Sequence, residues 1–463
     1  MSVVIKTFST PGGKYVYDRE TNSLLSVSDE EFLACQRVET DEAGDGDWKL
    51  LKRYTEQGYL KESSLKEIIH PATPFMKYNL NGHMVQLTLQ VTCQCNLRCS
   101  YCAYSGNYKN QRTHSSKTMS LEVMKKSVDF LMAHSHGVGE VVLGFYGGEP
   151  LLEFEKIKDC VEYVKNTYPG KSVKYSMTTN GTIFNDVILG FLEENNFNMP
   201  ISFDGPRHLH DKNRVYEDGS GSFNDIMHNV MYIKNNYPKL FKNVFFMTVV
   251  APGVDFACVN NFYDAQQILS DNYVMQSTVN HYNSKEKVTY DDLYHTAHTF
   301  QQTKVILSAI GLYSKGKISK LYNEGLVNAK RIYESLSKLK MTKKSHPSGP
   351  CLPGIKRPFV TIDGSIFPCE RINENSSAIK IGHIDTGFDL KKIDEVLNIG
   401  LLTERQCKEC WSFFHCGLCV VACDIGTCLS GEEKLSHCDY SKKALIDNLV
   451  TICVLLESNH RFD

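Results

Sequence analysis

Two hydrophobic periodicities alternate along the middle of the chain. Residues 83–92 read as a strand. Residues 121–132 read as a helix, with Met124, Val128 and Leu131 at i, i+4 and i+7. Short apolar runs follow at 140–145, 173–179, 200–203 and 244–250, with a sixth candidate strand at 273–281, and helical stretches space them. The ends of these runs carry Gly, Pro, Asn or Asp: Tyr146-Gly-Gly-Glu-Pro150, Asn180-Gly181, Asp204-Gly-Pro206 and Ala251-Pro-Gly253. Strands alternating with helices predict an α/β architecture of βα units around a parallel sheet. About six units imply a partial, TIM-like (β/α)6 barrel with one side open, rather than a closed eight-stranded one. The C-terminal strand ends are where such barrels place their chemistry.

The flanks are patterned differently. Lys14–Asp18 and Ser23–Val27 predict a hairpin around Glu20-Thr-Asn-Ser23, and 29–38 and 48–57 predict helices. The pattern resumes from Leu60, so residues 1–75 fit a small sheet with three helices of winged-helix type. No basic recognition helix occurs there, so DNA binding is not expected. Near the other end, Leu445, Leu449, Ile452 and Leu456 share one helical face and predict a core-packing helix. The polar stretch from Thr342 to Pro350 predicts a junction. The expected division is 1–75, a barrel at 83–300, a helical linker at 301–350 and a cysteine-rich segment at 351–463.

Charge narrows the class. Lys plus Arg is 51 and Asp plus Glu 53, a net −2, which argues against a protein living on phosphate contacts or an acidic disordered chain. The longest apolar run near the start is Val3-Val4-Ile5, too short for a signal peptide. No stretch approaches the ~18 apolar residues of a membrane helix, so no membrane partner is expected and a cytoplasmic location is.

Cysteine changes the picture most. There are 17, an odd number, and in the cytosol clustered thiols favour metal or redox chemistry over disulfides. Cys93, Cys95, Cys99 and Cys102 crowd ten residues, only Cys160 and Cys258 lie between 103 and 350, and ten fall in 351–463. Cys95-Asn-Leu-Arg-Cys99-Ser-Tyr-Cys102 follows a strand. Three thiolates at this spacing hold three irons of a cubane and leave the fourth open, whereas a purely electron-carrying site normally has a fourth thiolate. A zinc site completed by a distant residue, or buried cysteines close by coincidence, are the other readings of the spacing.

This loop, with Tyr101 at its aromatic position, resembles the C-x3-C-x-aromatic-C signature of the radical S-adenosylmethionine (SAM) superfamily. Gly147-Gly148-Glu149-Pro150 is similar to the family's loop that holds the methionine amino group. Thr179-Asn180-Gly181 and Ser202-Phe-Asp204-Gly-Pro206 are similar to its strand-end motifs near the ribose and carboxylate, and Arg214 matches a carboxylate-binding arginine. The resemblance implies SAM as cofactor and a 5′-deoxyadenosyl radical that abstracts hydrogen from unactivated carbon, with the protein supplying orientation. Turn chemistry and surface ion pairing are the plain alternatives for Ser202, Asp204 and Arg214.

In the last segment, Cys351-x12-Gly364-x4-Cys369 is followed by Cys407-x2-Cys410-x5-Cys416-x2-Cys419 and then Cys438. The two C-x2-C knuckles stand five residues apart, against roughly 15–20 in a zinc ribbon. A ferredoxin-like run is matched only in part. The arrangement resembles the SPASM extension of radical SAM peptide-modifying enzymes, which implies two auxiliary 4Fe–4S clusters and three in all. By that resemblance Cys407, Cys410, Cys416 and Cys438 hold an outer cluster, and Cys351, Cys369 and Cys419 an inner one. Two departures stand out. The last spacing is x2 rather than x3, and Arg357 occupies a position that is Cys in some members. Either Cys423 or Cys428 closes the inner cluster, or its iron is open to a substrate thiolate. Cys35, Cys160, Cys258 and Cys453 read as small buried hydrophobes. Glu370, directly after Cys369, stands where the resembling sulfatase-maturing enzymes have an Asp that serves as a base; pairing with Arg371 in solvent is the alternative.

The N-terminal segment resembles the peptide-recognition element of enzymes that modify ribosomally made peptides, capturing a leader as an added strand. The expected reaction is cross-linking of a precursor peptide through Cys sulfur-to-carbon thioether bonds, with flavodoxin or ferredoxin as electron donor. Carbon–carbon cross-linking and formylglycine-type sulfatase maturation are the alternatives. A non-catalytic iron–sulfur or zinc-binding adaptor is the reading from another class.

Overall fold

The computed structural model describes residues 3–462 apart from 110, 267, 268, 270, 271, 323, 348 and 350. An antiparallel sheet opens it: β1 (Ile5–Ser9), β2 (Lys14–Asp18) and β3 (Ser23–Val27). The β2–β3 hairpin pairs Lys14 with Val27 and Asp18 with Ser23, the turn falling on the anticipated polar residues. Three helices follow, Asp29–Glu39, Asp45–Leu50 and Lys52–Glu56. Ser28 and Glu31 form a reciprocal capping box at the first of them. This small unit has its own core around Val16, Ala34, Cys35 and Leu51. β4 (Glu67–Ile68) leads away from it.

All six expected central strands form: β5 (Gln86–Thr92), β6 (Glu140–Gly147), β7 (Ser172–Met177), β8 (Met199–Ser202), β9 (Val244–Val250) and β10 (Val274–Thr278). β5, β6 and β7 pair in parallel, as do β8, β9 and β10. The bridges Ser176–Asn198 and Thr179–Ile201 continue the order from β7 to β8. Helices after each strand cover the outside, among them Leu121–Ala133, whose Met124, Val128 and Leu131 are buried, and Phe154–Thr167. The helix Asp292–Ala309 runs straight across the expected boundary at 300.

The last segment does not stand apart. After β11 (Lys344–Ser345), β12 (Phe359–Val360) adds in parallel to the free edge of β5, pairing Phe359 with Thr88. β13 (Ser365–Phe367), β14 (Gly382–His383) and β15 (Gly387–Phe388) continue that sheet antiparallel. Phe359, Val360 and Ile366 belong to the same apolar core as the barrel.

Within the anticipated junction at 342–350, of which 348 and 350 lie outside the described residues, β11 pairs in parallel with β4. Two expectations are corrected. The helix Cys438–Glu457 buries Leu445, Leu449 and Ile452 against Phe8, Tyr17 and Ala329, but Leu456 sits in its last turn and is 40% exposed. Cys35, Cys160 and Cys453 are buried as expected, whereas Cys258 is half-exposed and its thiol faces the Asp255 carboxylate at 3.1 Å.

Candidate active site

The cysteine loop leaves β5 and is pinned from two sides. The backbone N–H groups of Arg98 and Ser100 donate to the carbonyls of Val215 (2.7 Å) and Asn213 (3.1 Å). On the other side, Gly148 N–H donates to Thr92 O and Glu149 N–H to Gln94 O, each at 2.8 Å. This explains both glycines. A Cβ on Gly147 would lie 2.3 Å from Thr92 O, and its φ is +139°; a Cβ on Gly148 would lie 1.9 Å from Gln94 O. The β6 end therefore touches the loop backbone to backbone.

The donors around the sulfurs suit thiolates. Leu97 N–H points at Cys95 Sγ (3.4 Å), Tyr104 N–H at Cys102 Sγ (3.4 Å), the Asn180 amide at Cys95 Sγ (3.7 Å) and Arg214 at Cys99 Sγ (3.9 Å). Burial pushes the Cys95 thiol up to about 12 and that of Cys99 to about 11, so a metal that binds here must displace protons. Three cysteines with donors to each sulfur fit three ligands of an iron–sulfur cluster.

Glu149 is fully buried and its carboxylate accepts from Thr179 Oγ1 (2.8 Å), Asn180 N–H (2.7 Å) and Leu151 N–H (3.2 Å). It ties the ends of β6 and β7 together and caps the turn that begins at Pro150. Burial outweighs these donors and lifts its pKa to about 7. Asn180 also donates to Asn96 Oδ1 (2.8 Å) and accepts from Thr182. Asp204 is held by Val249 N–H (3.0 Å), by Arg214 Nε (2.9 Å) and by the Tyr101 hydroxyl, with the Arg214 guanidinium 5.4 Å from the Tyr101 ring. Arg214 is thus paired with a carboxylate of this chain as well as aimed at Cys99. Ser202 ends β8, half-buried, and its backbone N–H donates to Thr179 O (3.0 Å).

A second network, illegible from spacing, joins this loop to the last segment. Gln90 donates to Tyr104 Oη (2.9 Å) and Glu374 (2.8 Å), and its own carbonyl accepts from Ile362 N–H (3.1 Å). Buried Arg112 donates to Glu374 (3.1 Å) and to Glu370 O (3.0 Å) and lies over the Tyr104 ring. Two polar residues, one inside an apolar strand and one just after the cysteine loop, were the only sequence hints. Glu370 itself is not solvated. Its Oε1 accepts from Arg357, while Arg371 is more distant at 3.8 Å, and its Oε2 is buried without a hydrogen-bond partner. Both Glu370 and Cys102 lie close enough to Tyr146 to act on it electrostatically.

The remaining cysteines fall into two neighbouring sets. Among the described residues no three His, Cys, Asp or Glu side chains converge on a single ion. Cys407, Cys410, Cys416 and Cys438 instead line one cavity of about 280 Å³. Beside it, the Cys419 thiol feels both Cys351 and Cys369. Cys423 is fully buried and feels both Cys419 and Cys416, whereas exposed Cys428 lines a different cavity with Asp394 and Glu395. Four soft donors around one cavity fit a cluster.

The family model of the Radical SAM superfamily matches residues 89–265, which are therefore a radical SAM domain. The chain is 36% identical over 146 residues to a cysteine-type anaerobic sulfatase-maturating enzyme of Clostridium novyi, covering 31% of this chain and 38% of that one. It is 24% identical over 201 residues to the radical SAM cyclopropyl synthase TigE of Paramaledivibacter caminithermalis, covering 40% and 41%. The chain thus spans half or less of the length of the curated relatives it matches. A solved structure of native anSMEcpe with bound AdoMet shares the fold with a TM-score of 0.57 at 22% identity, over 81% of this chain and 100% of that one. The same protein with AdoMet and a Cp18Cys peptide superposes with a TM-score of 0.53 at 21% identity, over 78% and 98%. Among the described residues no helix is long and apolar enough to cross a membrane.

Proposed function

With residues 89–265 a radical SAM domain, we propose that this chain is a peptide-modifying radical SAM enzyme with two auxiliary iron–sulfur clusters. Its reaction forms Cys sulfur-to-carbon thioether bonds in a ribosomally made precursor peptide. The observation that carries this reading is the gathering of seven C-terminal cysteines into two adjacent sets, coupled to the barrel's own cysteine loop by Gln90, Arg112 and Glu374.

Cys95, Cys99 and Cys102 hold the first cluster. When bound, that cluster and SAM supply a 5′-deoxyadenosyl radical able to remove hydrogen from unactivated carbon. The chain's residues do the rest. Gly147 and Gly148 press the β6 end against the cysteine loop, Glu149 locks it to Thr179 and Asn180, and Tyr101, Ser202, Asp204 and Arg214 shape the neighbouring strand ends that receive the cofactor. Arg357 holds one oxygen of Glu370, and the other is left to accept a proton from the peptide. Cys351, Cys369 and Cys419 hold the inner cluster, Cys407, Cys410, Cys416 and Cys438 the outer one. The sheet of residues 1–75 takes the leader on an edge strand, a flavodoxin or ferredoxin delivers electrons, and the setting is the cytoplasm.

Formylglycine formation is the second reading, favoured by the 36% identity to a sulfatase-maturating enzyme and by a carboxylate directly after Cys369. One experiment separates the readings. The anaerobically reconstituted enzyme is incubated with SAM, reductant and a synthetic Cys-containing peptide, and the product is weighed before and after iodoacetamide. A loss of two hydrogens with one fewer free thiol per bond supports the thioether. The same mass loss with unchanged thiols means carbon–carbon coupling. Conversion of a Cys to an aldehyde means the sulfatase chemistry. A fully iron-loaded protein that releases no 5′-deoxyadenosine refutes the radical reading, and zinc without iron leaves the adaptor.

A further inference from the structure

The cavity shared by Cys407, Cys410, Cys416 and Cys438 has a cationic wall. Lys434 lines it and is only 2% exposed. Lysine reaches that depth almost only when paired, because a lone buried charge costs several kcal/mol. Its Nζ donates to Ile399 O at 3.0 Å, to Thr403 Oγ1 at 2.8 Å and to Cys407 Sγ at 3.6 Å. Among the described residues these acceptors are two neutral oxygens and one thiol. The amine is therefore buried, hydrogen-bonded and short of an anion, on the one cavity that four soft donors surround.

Two further features point the same way. The Thr403 hydroxyl that accepts from Lys434 is itself 3.2 Å from Cys407 Sγ, so lysine, threonine and cysteine form one chain of contacts. Cys438 is the first residue of the helix Cys438–Glu457, where the helix dipole also favours negative charge.

We propose that Lys434 is the counter-ion of the cluster held by Cys407, Cys410, Cys416 and Cys438, and that its charge sets that cluster's reduction potential. The assignment rests on the reading that these four cysteines hold an iron–sulfur cluster. A cluster with four thiolate ligands is net negative and supplies the anion that Lys434 lacks. Reduction adds one more negative charge beside a fixed positive one, so the reduced form gains more and the potential rises. Lys434 does not touch the reacting peptide in this scheme; it is a positioning residue for charge.

The test is an EPR-monitored redox titration of the reconstituted full chain, with iron and sulfide counted in parallel. A Cys407→Ala, Cys410→Ala double variant identifies the signal that belongs to this cavity. In Lys434→Met with full iron, the reduced-to-oxidised ratio of that signal at a fixed potential is expected to fall about tenfold, a shift of about 59 mV for one electron. The other signals stay in place, and Lys434→Arg restores the wild-type position. An unmoved potential in a fully loaded Lys434→Met protein overturns the assignment, as does Lys434→Arg behaving like Lys434→Met. Should Lys434→Met lose the cavity's iron, retention of that iron in Lys434→Arg supports the counter-ion, and its loss there overturns it. If the double variant removes no iron and no signal, the cluster reading of the cavity falls and the counter-ion with it.

Discussion

Two buried carboxylates show how differently the same group is used around the cysteine loop. Glu149 has only neutral donors, and burial lifts its pKa from the ordinary carboxylate range to about 7. The folded state then holds a proton that the unfolded chain has released. The stability this confers is present below the unfolded pKa near 4.5 and is lost as pH rises toward 7. The effect is on the order of 3 kcal/mol at most. Glu149→Gln should flatten the fall in cluster-free stability between pH 5 and 7, measured by urea denaturation at each pH. A variant as pH-dependent as wild type would show that Glu149 is not the group responsible. Asp204, by contrast, is paired with Arg214 inside the fold. Asp204→Asn strands a buried guanidinium and should cost about 3–5 kcal/mol. Asp204→Asn combined with Arg214→Met should recover part of that loss, which a double-mutant cycle of melting curves measures. These partners were not legible in the sequence, because a strand-end Asp and an Arg ten residues on read equally well as turn chemistry.

At the level of elements, the strands were legible because apolar runs and their Gly, Pro, Asn or Asp ends report burial and turning directly. All six central strands fall where those runs lie. What joins their ends was not, since backbone contacts between β6 and the cysteine loop leave no side-chain signature beyond two glycines. Gly148→Ala puts a methyl group 1.9 Å from Gln94 O, and two backbones must part to admit it. The expected result is loss of about four irons per chain with a lowered melting temperature. Gly139→Ala, with nothing within 4 Å of its Cβ, is the matched control and should keep its iron.

Across the whole molecule, the cysteine-rich segment is bound into the barrel's own sheet. β12 covers the edge of β5, and fully buried Phe359 packs on Tyr146 and under Arg112. Phe359→Ala should cost about 3–5 kcal/mol of global stability. It should loosen the cysteine loop through Arg112 as well, so calorimetry of the cluster-free protein and iron retention are expected to fall together. Loss of neither would show that the segment folds independently of the barrel. At the same scale, Cys428 lines a cavity that none of Cys351, Cys369 and Cys419 lines, so on the proposed cluster assignment Cys428→Ala should leave the inner cluster's EPR signal intact. By itself the sequence determined the alternation of strand and helix, the cysteine spacings and the family signature, because periodicity, turn residues and ligand spacing are local properties of the chain. Only the tertiary structure decided that β12 completes the β5 edge, that Cys423 and Cys428 part company, that Glu370 faces Arg357, and that a buried lysine stands at the wall of the four-cysteine cavity. Spacing along the chain reports none of these: Phe359 pairs with Thr88 from across the sequence, Arg357 reaches Glu370 from 13 positions away and Lys434 reaches Cys407 from 27, each settled by packing and by the need to satisfy buried charge.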